Sequence, residues 1–275
     1  MSLAVRLLPA LSQAYAAARG AGLLRARWFR RLYVRAYFAY KRHLEDPFEG
    51  LVRARPDLFR GGHILDVGAH VGYTASLFRS VLTPGFRVYA FEPDPANLLG
   101  LRETIRASGA SSAIVPVAAA VGDRDGEADL WHNPRHPGDH RLATPAFREK
   151  VGDIGATLPV RLWSLDGFLR AEKEDGPVAF VKIDTQGSEP AVCRGMEELL
   201  GRCPGVVVAL EYAPREIEAQ GFDPEAVPRF FEARGRSVRV LARSGSTEAH
   251  PLSRLTELAL AGRGYIDLLA LPDGD

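Results

Sequence analysis

Residues 63–78, HILDVGAHVGYTASLF, and residues 87–93, RVYAFEP, decide the fold of this chain. The first segment begins with a short apolar run that is typical of a strand buried on both faces of a sheet. Gly68 opens a turn, and we expect a helix to begin near Val71. The second segment is another apolar strand, and it ends on Glu92. This order predicts half of a mononucleotide-binding βαβ unit.

The position of Glu92 predicts the kind of ligand. Open α/β sheets bind ligands outside the carboxyl ends of their strands, and an acid after the second strand typically accepts hydrogen bonds from ribose hydroxyls. A dinucleotide site needs a glycine where this chain has His70, because the backbone must approach a pyrophosphate. The spacing Asp66-x-Gly68-x-His70-x-Gly72 instead matches the first motif of class I methyltransferases. Their methyl donor, S-adenosylmethionine, carries no phosphate.

Length and composition predict one large α/β domain with an appendage. The chain has 275 residues, of which 46% are hydrophobic and 25% charged, as in an ordinary globular protein. Its two cysteines, Cys193 and Cys203, offer neither a disulfide framework nor a cysteine-rich metal site, and we expect a cytoplasmic location. A net charge of +1 argues against a general nucleic-acid binder. We find no apolar run of membrane-spanning length and expect no signal peptide.

The first 60 residues differ in charge from the rest of the chain. They hold twelve Lys and Arg against four acids, which leaves the remainder at −7. Residues 23–44 have a helical pattern with an aromatic face that includes Trp28. We predict that residues 1–60 form an N-terminal helical cap packed on the catalytic domain. Two alternatives remain for this helix. Its basic stripe is compatible with contact to an acidic carrier protein or an anionic membrane, and its aromatic face is compatible with a homo-oligomer contact.

We predict that residues 61–275 form a single domain in which strands alternate with helices around a parallel sheet. The last two strands have no convincing crossover helix between them, so we expect an antiparallel pair at the sheet edge. Residues 131–160 contain prolines, glycines and histidines without helical or strand periodicity. We expect an irregular insertion there that contributes to the active site.

Four ordered motifs carry a family resemblance. They are DVGAHVGYTASLF, VYAFEPDPANL, VKIDTQGSEP and VVVALEYAP, and the GDHR segment at residues 138–141 adds to them. Together they resemble the FkbM family of S-adenosylmethionine-dependent O-methyltransferases over roughly residues 40–270. The resemblance implies a class I methyltransferase, Rossmann-like fold, with a mostly parallel seven-stranded sheet whose last strand is antiparallel. Relatives usually have asparagine where this chain has His70.

The expected cofactor is S-adenosyl-L-methionine. The resemblance implies that Gly68, Ala69 and Gly72 line its methionine part and that Asp66 supports the turn. The sequence order places Asp123 where an adenine amino group could be held. The full set of expected cofactor contacts is Asp66, Gly68, Ala69, His70, Gly72, Glu92, Asp123 and Asp184.

Three residues are candidates for the chemistry. Asp184 and Glu211 follow or end two further strands, and His140 lies in the insertion. An unperturbed imidazole titrates near neutral pH, which favours His140 as the general base. Asp184 has four alternative roles, namely a base, a ligand of the methionine ammonium, a metal ligand and a helix cap. A magnesium ion held by Asp184, Glu211 and Asp139 is the alternative in which a metal polarises the acceptor.

These observations predict an O-methyltransferase that acts on a hydroxyl of a small molecule, such as a secondary metabolite, polyketide or sugar. Whether the acceptor arrives free or bound to a carrier stays open. A non-catalytic module that binds S-adenosylmethionine or a partner protein is one alternative. A nicotinamide-dependent oxidoreductase is another, and it is disfavoured because it gives no role to KIDTQGSE.

Overall fold

The computed structural model describes residues 27–42, 46–133 and 139–272, and its strands form one sheet of eight and one of four. The strands are β1 (His63–Val67), β2 (Val88–Phe91), β3 (Ile114–Val117), β4 (Ala120–Val121), β5 (Gly126–Trp131), β6 (Arg141–Leu142), β7 (Thr157–Trp163), β8 (Val178–Ile183), β9 (Val207–Tyr212), β10 (Arg236–Leu241), β11 (Thr247–Ala249) and β12 (Ile266–Pro272). The helices are α1 (Arg27–Tyr40), α2 (Phe48–Ala54), α3 (Tyr73–Arg79), α4 (Pro95–Ala107), α5 (Pro145–Val151), α6 (Leu165–Ala171), α7 (Glu189–Arg194), α8 (Glu197–Arg202), α9 (Pro214–Ala219), α10 (Ala226–Glu232) and α11 (Leu252–Ala261), with a 3-10 turn at Pro56–Phe59.

The large sheet has the strand order β11-β10-β12-β9-β8-β1-β2-β3. In this sheet β3, β2, β1, β8 and β9 pair in parallel with one another. β12 runs antiparallel to both of its neighbours, β9 and β10. This is the class I methyltransferase fold that the family resemblance implies. The short strand β11 extends the expected seven strands to eight.

The centre of this sheet is buried on both faces. All five residues of β1 are buried, and successive side chains alternate between two apolar layers because the side-chain period of a strand is two. Ile64 packs in one layer with Phe78 and Phe180, while Leu65 packs in the other with Phe91. The sheet therefore holds the carboxyl ends of β1, β2 and β8 firmly in place.

The last strands differ from the prediction in two ways. β10 and β12 pair antiparallel at this end of the sheet, as predicted, but the short strand β11 pairs with β10 and forms the edge itself. A helix, α11, also lies between them in sequence. This helix, LSRLTELALA, buries Leu255 and Ala259, and its short apolar face explains why the periodicity did not predict a helix there.

The segment of residues 112–121 is divided between the two sheets. β3 joins the large sheet, whereas β4 pairs with β7 in a four-stranded sheet of order β4-β7-β5-β6 that the sequence did not predict. Part of the insertion at residues 131–160 is regular, because it contains α5 and the start of β7. The side chain of Thr144 caps α5 by accepting a hydrogen bond from the backbone N–H of Phe147.

The predicted N-terminal helix is present as α1, and Tyr40 at its end is buried. The ends of the predicted range, near Leu24 and Leu44, lie outside the described residues, as does the side chain of Trp28. Within residues 27–42, 46–133 and 139–272, every helix is too short or too polar to span a lipid bilayer.

Candidate functional site

A cavity of about 440 Å³ opens at the carboxyl ends of β1, β2, β8 and β9. The turn after β1 forms one wall, and residues 139–142 form another. Three side chains from α1 and the turn that follows it, Tyr37, Tyr40 and Lys41, also line the cavity. This is the ligand position that an open α/β sheet favours, and the volume lies within the usual range of ligand pockets.

The turn after β1 is shaped by close packing against the end of β8. Gly68 has φ of +77°, and a Cβ atom placed on it would lie 1.9 Å from the carbonyl oxygen of Asp184. Glycine is therefore required there by both the backbone angle and the space. Ala69 and His70 line the cavity. Gly72 lies just before α3 and outside the cavity lining, because it packs against Leu101 of α4.

The carboxylate of Glu92 is held by the backbone on both sides. One oxygen accepts a hydrogen bond from the N–H of His70 at 2.9 Å, and the other accepts from the N–H of Asp94 at 2.8 Å. Burial raises the pKa of Glu92 to about 8, although these two hydrogen bonds oppose the shift. Its carboxyl group lines the cavity with its orientation fixed.

His70 presents an imidazole whose two ring nitrogens are buried without a hydrogen-bond partner. The side chain is only 9% exposed, and the ring of Tyr37 packs edge-on against it at 4.8 Å between centroids. Burial, together with the charge of Lys41, lowers the pKa of His70 to about 3. The ring is therefore neutral near pH 7 and offers one donor and one acceptor to a ligand.

A buried ion-pair network lies under the turn. The Lys182 ammonium is 3.5 Å from Asp66 and 3.4 Å from Asp184, and it donates a hydrogen bond to the carbonyl oxygen of Gly68 at 2.9 Å. Asp66 also accepts from the hydroxyl of Thr74 at 2.7 Å, so it supports the turn and does not line the cavity. Burial opposes ionisation of Asp184, but Lys182 and Lys41 outweigh it and lower the pKa of this carboxyl.

Glu211 lies one strand further along the same edge. It stands opposite Asp267 in the antiparallel β9–β12 pair, and both residues line the cavity. The amide nitrogen of Gln186 donates to Asp184 at 3.0 Å and to Glu211 at 3.4 Å, so it links the two predicted acids. Burial, with Asp184 and Asp267 close by, raises the pKa of Glu211 well above its ordinary value. The two predicted acids thus have pKa values shifted in opposite directions.

His140 does reach the cavity from the insertion. Its Nδ1 accepts a hydrogen bond from the backbone N–H of Asn133 at 3.2 Å, which assigns the proton of the neutral ring to Nε2. No observation here tests the role of His140 as a general base, which stays a prediction.

The magnesium alternative has no support. Among the described residues, the group of His, Cys, Asp and Glu side chains that brings three ligand atoms within 4.8 Å is Asp94, His132 and His140. It contains none of the three acids proposed from the sequence. Asp139 instead pairs with Arg141, which also contacts Glu216. Asp94 caps α4 and hydrogen-bonds His132.

Asp123 does not reach the cavity. The chain leaves the large sheet after β3, and Asp123 pairs with Arg194 at 2.9 Å on the protein surface. Asp267 and Ser188 line the cavity although the sequence analysis did not select them. Asp267 could have been found only from the pairing of β12 with β9, because Asp267 and its partner Glu211 are far apart in the sequence.

The turn and much of the cavity lie in a segment that matches a known protein family. A family model described as "Methyltransferase FkbM domain" matches residues 66–238, which is more than half of the chain. The chain belongs to the FkbM methyltransferase family. The match begins at Asp66 in β1 and includes the whole turn, Glu92, Asp184 and Glu211.

Individual proteins match this chain over a short segment or at low sequence identity. A protein-L-isoaspartate O-methyltransferase of Aeropyrum pernix is 34% identical over 90 residues, which is 33% of this chain and 32% of that protein. The crystal structure of a methyltransferase FkbM from Methylobacillus flagellatus is 15% identical with a TM-score of 0.49, covering 88% of this chain and 52% of that one. An O-methyltransferase from Bacillus cereus, in complex with SAH, is 16% identical with a TM-score of 0.45, covering 82% of this chain and 81% of that one. The chain thus spans about a third of the curated relative and half of the first structure.

Proposed function

We propose that the protein is an S-adenosylmethionine-dependent O-methyltransferase that acts on a hydroxyl group of a small molecule. The observation that carries this proposal is Glu92, a buried carboxylate at the end of β2 that two backbone N–H groups orient into the cavity. The family membership supports methyl transfer. The name of the Aeropyrum pernix relative supports oxygen as the methylated atom.

The residues present fit an adenosyl ligand. A carboxylate has about four acceptor positions. The N–H of Asp94 and, at 3.5 Å, the amide nitrogen of Asn97 donate to Oε1 of Glu92, and the N–H of His70 donates to Oε2, which leaves a position on Oε2 for a ribose hydroxyl. His70 and Ser188 both line the cavity and hold buried polar atoms without a partner, which a ligand with polar groups would satisfy. The neutral ring of His70 adds no charge that would repel a sulfonium.

The order of the strands gives the cavity a direction. Neighbouring strands lie about 4.8 Å apart, and β2, β1, β8 and β9 follow one another across the sheet. If Glu92 after β2 binds the ribose, the methionine end of the ligand lies towards Gly68 and Asp184. The acceptor then occupies the part of the cavity next to β9 and β12. We therefore assign Glu92 to the donor and Glu211 to the acceptor.

S-adenosylmethionine, when bound, supplies an electrophilic methyl group. Asp184 has a lowered pKa and is ionised near pH 7, so it can accept the hydroxyl hydrogen bond of the acceptor and take its proton as the oxygen becomes methylated. An oxygen that has gained a methyl group is strongly acidic, so a weak base is sufficient. His140 lines the cavity and helps to orient the acceptor. Alignment of this kind can contribute several kcal/mol to catalysis.

Calorimetric titration tests this proposal. We expect wild type to bind S-adenosylmethionine and S-adenosylhomocysteine with micromolar affinity and to bind NAD weakly or not at all. Glu92→Ala should lose adenosyl binding, whereas Asp123→Ala, a carboxylate removed outside the cavity, should retain it. Binding of NAD in preference to the adenosyl ligands would refute the proposal. Binding without turnover on any hydroxylated acceptor would favour a non-catalytic module.

A further inference from the structure

We propose that the imidazole of His70 donates a hydrogen bond to the carboxylate at the amino-acid end of the methyl donor, and that the ring thereby makes the site selective for ligands that carry this group. The inference rests on the proposed function and adds a residue that determines specificity for the methyl donor. The backbone N–H of His70 already orients Glu92, so the inference concerns the side chain alone.

The position of His70 places its ring at the methionine end of the ligand. Its backbone N–H donates to Glu92 at 2.9 Å, whereas Gly68, in the same turn, packs against the carbonyl oxygen of Asp184. Burial lowers the pKa of the imidazole, and the charges of Asp184 and Lys182 also act on it, so the ring lies within range of both groups. Because the ribose is assigned to Glu92 and the methionine end to the side of Asp184, the ring belongs to the amino-acid end.

The ring nitrogens of His70 indicate a polar ligand. Nδ1 and Nε2 are both buried, and neither has a hydrogen-bond partner among the described residues. The residue is 9% exposed and lines the cavity, and Tyr37 packs edge-on against the ring. Buried polar atoms in folded proteins are nearly always hydrogen-bonded, so the protein alone leaves this side chain incomplete. A ligand in the cavity would supply the missing partner.

The backbone conformation of His70 explains how one residue can serve two parts of the ligand. Its φ is +49°, in the left-handed region that residues other than glycine seldom adopt. Backbone strain of this kind is concentrated at functional sites. In this conformation the N–H of His70 reaches Glu92 while the side chain lines the cavity. The turn thus presents a main-chain contact to the ribose carboxylate and a side-chain contact to the amino-acid end.

The ring is suited to a carboxylate. With a pKa of about 3 it is neutral near pH 7, and either nitrogen can carry the N–H because no described residue fixes the tautomer. A carboxylate only accepts hydrogen bonds, so it requires a donor of this kind. Asp46 also lines the cavity within range of the charge of Lys182, so this side of the site already offers an acid to the ammonium. The N–H of His70 is therefore assigned to the carboxylate.

The test compares S-adenosylhomocysteine with 5′-methylthioadenosine, which lacks the amino-acid end, by calorimetric titration near neutral pH. We expect wild type to bind S-adenosylhomocysteine at least about tenfold more tightly, the effect of one hydrogen bond to a charged group. His70→Gly removes the ring without backbone strain. It should weaken S-adenosylhomocysteine about tenfold and change 5′-methylthioadenosine less than about threefold.

Two further variants serve as controls. His70→Asn keeps an N–H donor and tolerates the left-handed backbone, so it should recover part of the affinity that His70→Gly loses. His250 lies outside the cavity, 3.5 Å from Glu248. His250→Asn should bind both ligands as wild type does.

A third ligand identifies the group that the ring binds. S-adenosyl-3-thiopropylamine keeps the amine and lacks the carboxylate, so His70→Gly should weaken it less than about threefold. Nitrogen NMR spectroscopy of the histidine rings gives a readout on wild type that does not depend on the folding of His70→Gly. S-adenosylhomocysteine should shift the ring nitrogens of His70, and the two ligands without a carboxylate should shift them less.

Several outcomes would overturn the inference. They are equal affinity of wild type for S-adenosylhomocysteine and 5′-methylthioadenosine, an unchanged preference in His70→Gly, an equal loss for all three ligands in that variant, and ring nitrogens that do not respond to S-adenosylhomocysteine. In each of these cases wild type still binds S-adenosylhomocysteine, so the proposed function stands. Failure of wild type to bind any adenosyl ligand would refute the proposed function itself.

Discussion

The pKa of Glu92 makes the affinity of the protein for an adenosyl ligand depend on pH. A carboxylate with a pKa of about 8 is largely protonated at neutral pH in the free protein. A ribose hydroxyl donates a hydrogen bond to this carboxylate, so ribose binds the ionised form. We therefore expect the ligand to lower this pKa and to bind more tightly as the pH rises. Glu92→Gln, which keeps the shape of the side chain but does not titrate, should remove this dependence.

The magnitude follows from the fraction of ionised carboxylate. About half of the carboxylates are ionised at pH 8 and about 1% at pH 6, so the affinity should fall by roughly tenfold for each pH unit below 8. A charged hydrogen bond contributes about 1.5–3 kcal/mol. Glu92→Gln should therefore bind about 10- to 100-fold more weakly than wild type at pH 9, and the difference should narrow towards pH 6.

The assay is calorimetric titration with 5′-methylthioadenosine from pH 6 to pH 9. This ligand retains adenine and ribose but lacks the amino-acid end, so the titration of the methionine amine does not enter. A wild-type affinity that stays constant over this range would refute the reasoning about Glu92. Equal affinities of wild type and Glu92→Gln at pH 9 would refute its role at the ribose.

The same group affects folding. The pKa of Glu92 in the folded protein is raised above the value of about 4.3 expected in the unfolded chain, so its neutral form favours the folded state. This contribution is complete below pH 4 and is lost as the pH rises through 8. We expect the stability advantage of Glu92→Gln over wild type to increase between pH 5 and pH 8 in chemical denaturation at matched conditions. A constant difference between the two proteins would contradict the raised pKa.

Three further predictions concern stability, each measured by chemical denaturation. Gly68→Ala should cost well above 3 kcal/mol because of the clash with the Asp184 carbonyl, whereas Gly85→Ala, which also has a positive φ of +94° but open space, should cost about 1–3 kcal/mol; equal losses would contradict the packing argument. Lys182→Met should cost about 3–5 kcal/mol because it leaves Asp66 and Asp184 buried without their cation, and a loss under 1 kcal/mol would show that this pairing contributes little. Asp94→Ala should cost about 0.5–2 kcal/mol through loss of the cap of α4, and an unchanged stability would show that the backbone donors find other partners.

The local features of the site could be predicted from the sequence. The strand–turn–helix unit and the position of Glu92 depend on residues close together in the chain, and their periodicity and glycines are readable. Features that depend on neighbouring residues can therefore be predicted from a short stretch of sequence.

Long-range pairing was harder to predict. The register that places Asp267 opposite Glu211 depends on where β12 inserts in the sheet, and strand periodicity does not determine a partner. Residues 112–121 contain no strong turn signal, so the sequence did not predict that the chain leaves the large sheet after β3. This departure also carries Asp123 away from the cavity. The hydrogen bond that fixes the tautomer of His140 could not be inferred from spacing alone.

The close approach of Gly68 to Asp184 has a consequence for redesign of this protein. The two loops are separated by more than a hundred positions in the sequence, yet their backbones are in direct contact, so neither can be rebuilt without displacing the other. An engineer who inserts or deletes residues after β8 to admit a new acceptor would also disturb the donor turn. Selectivity is better altered by side-chain exchange on β9 and β12, where the backbone is held by strand pairing on both sides of each strand.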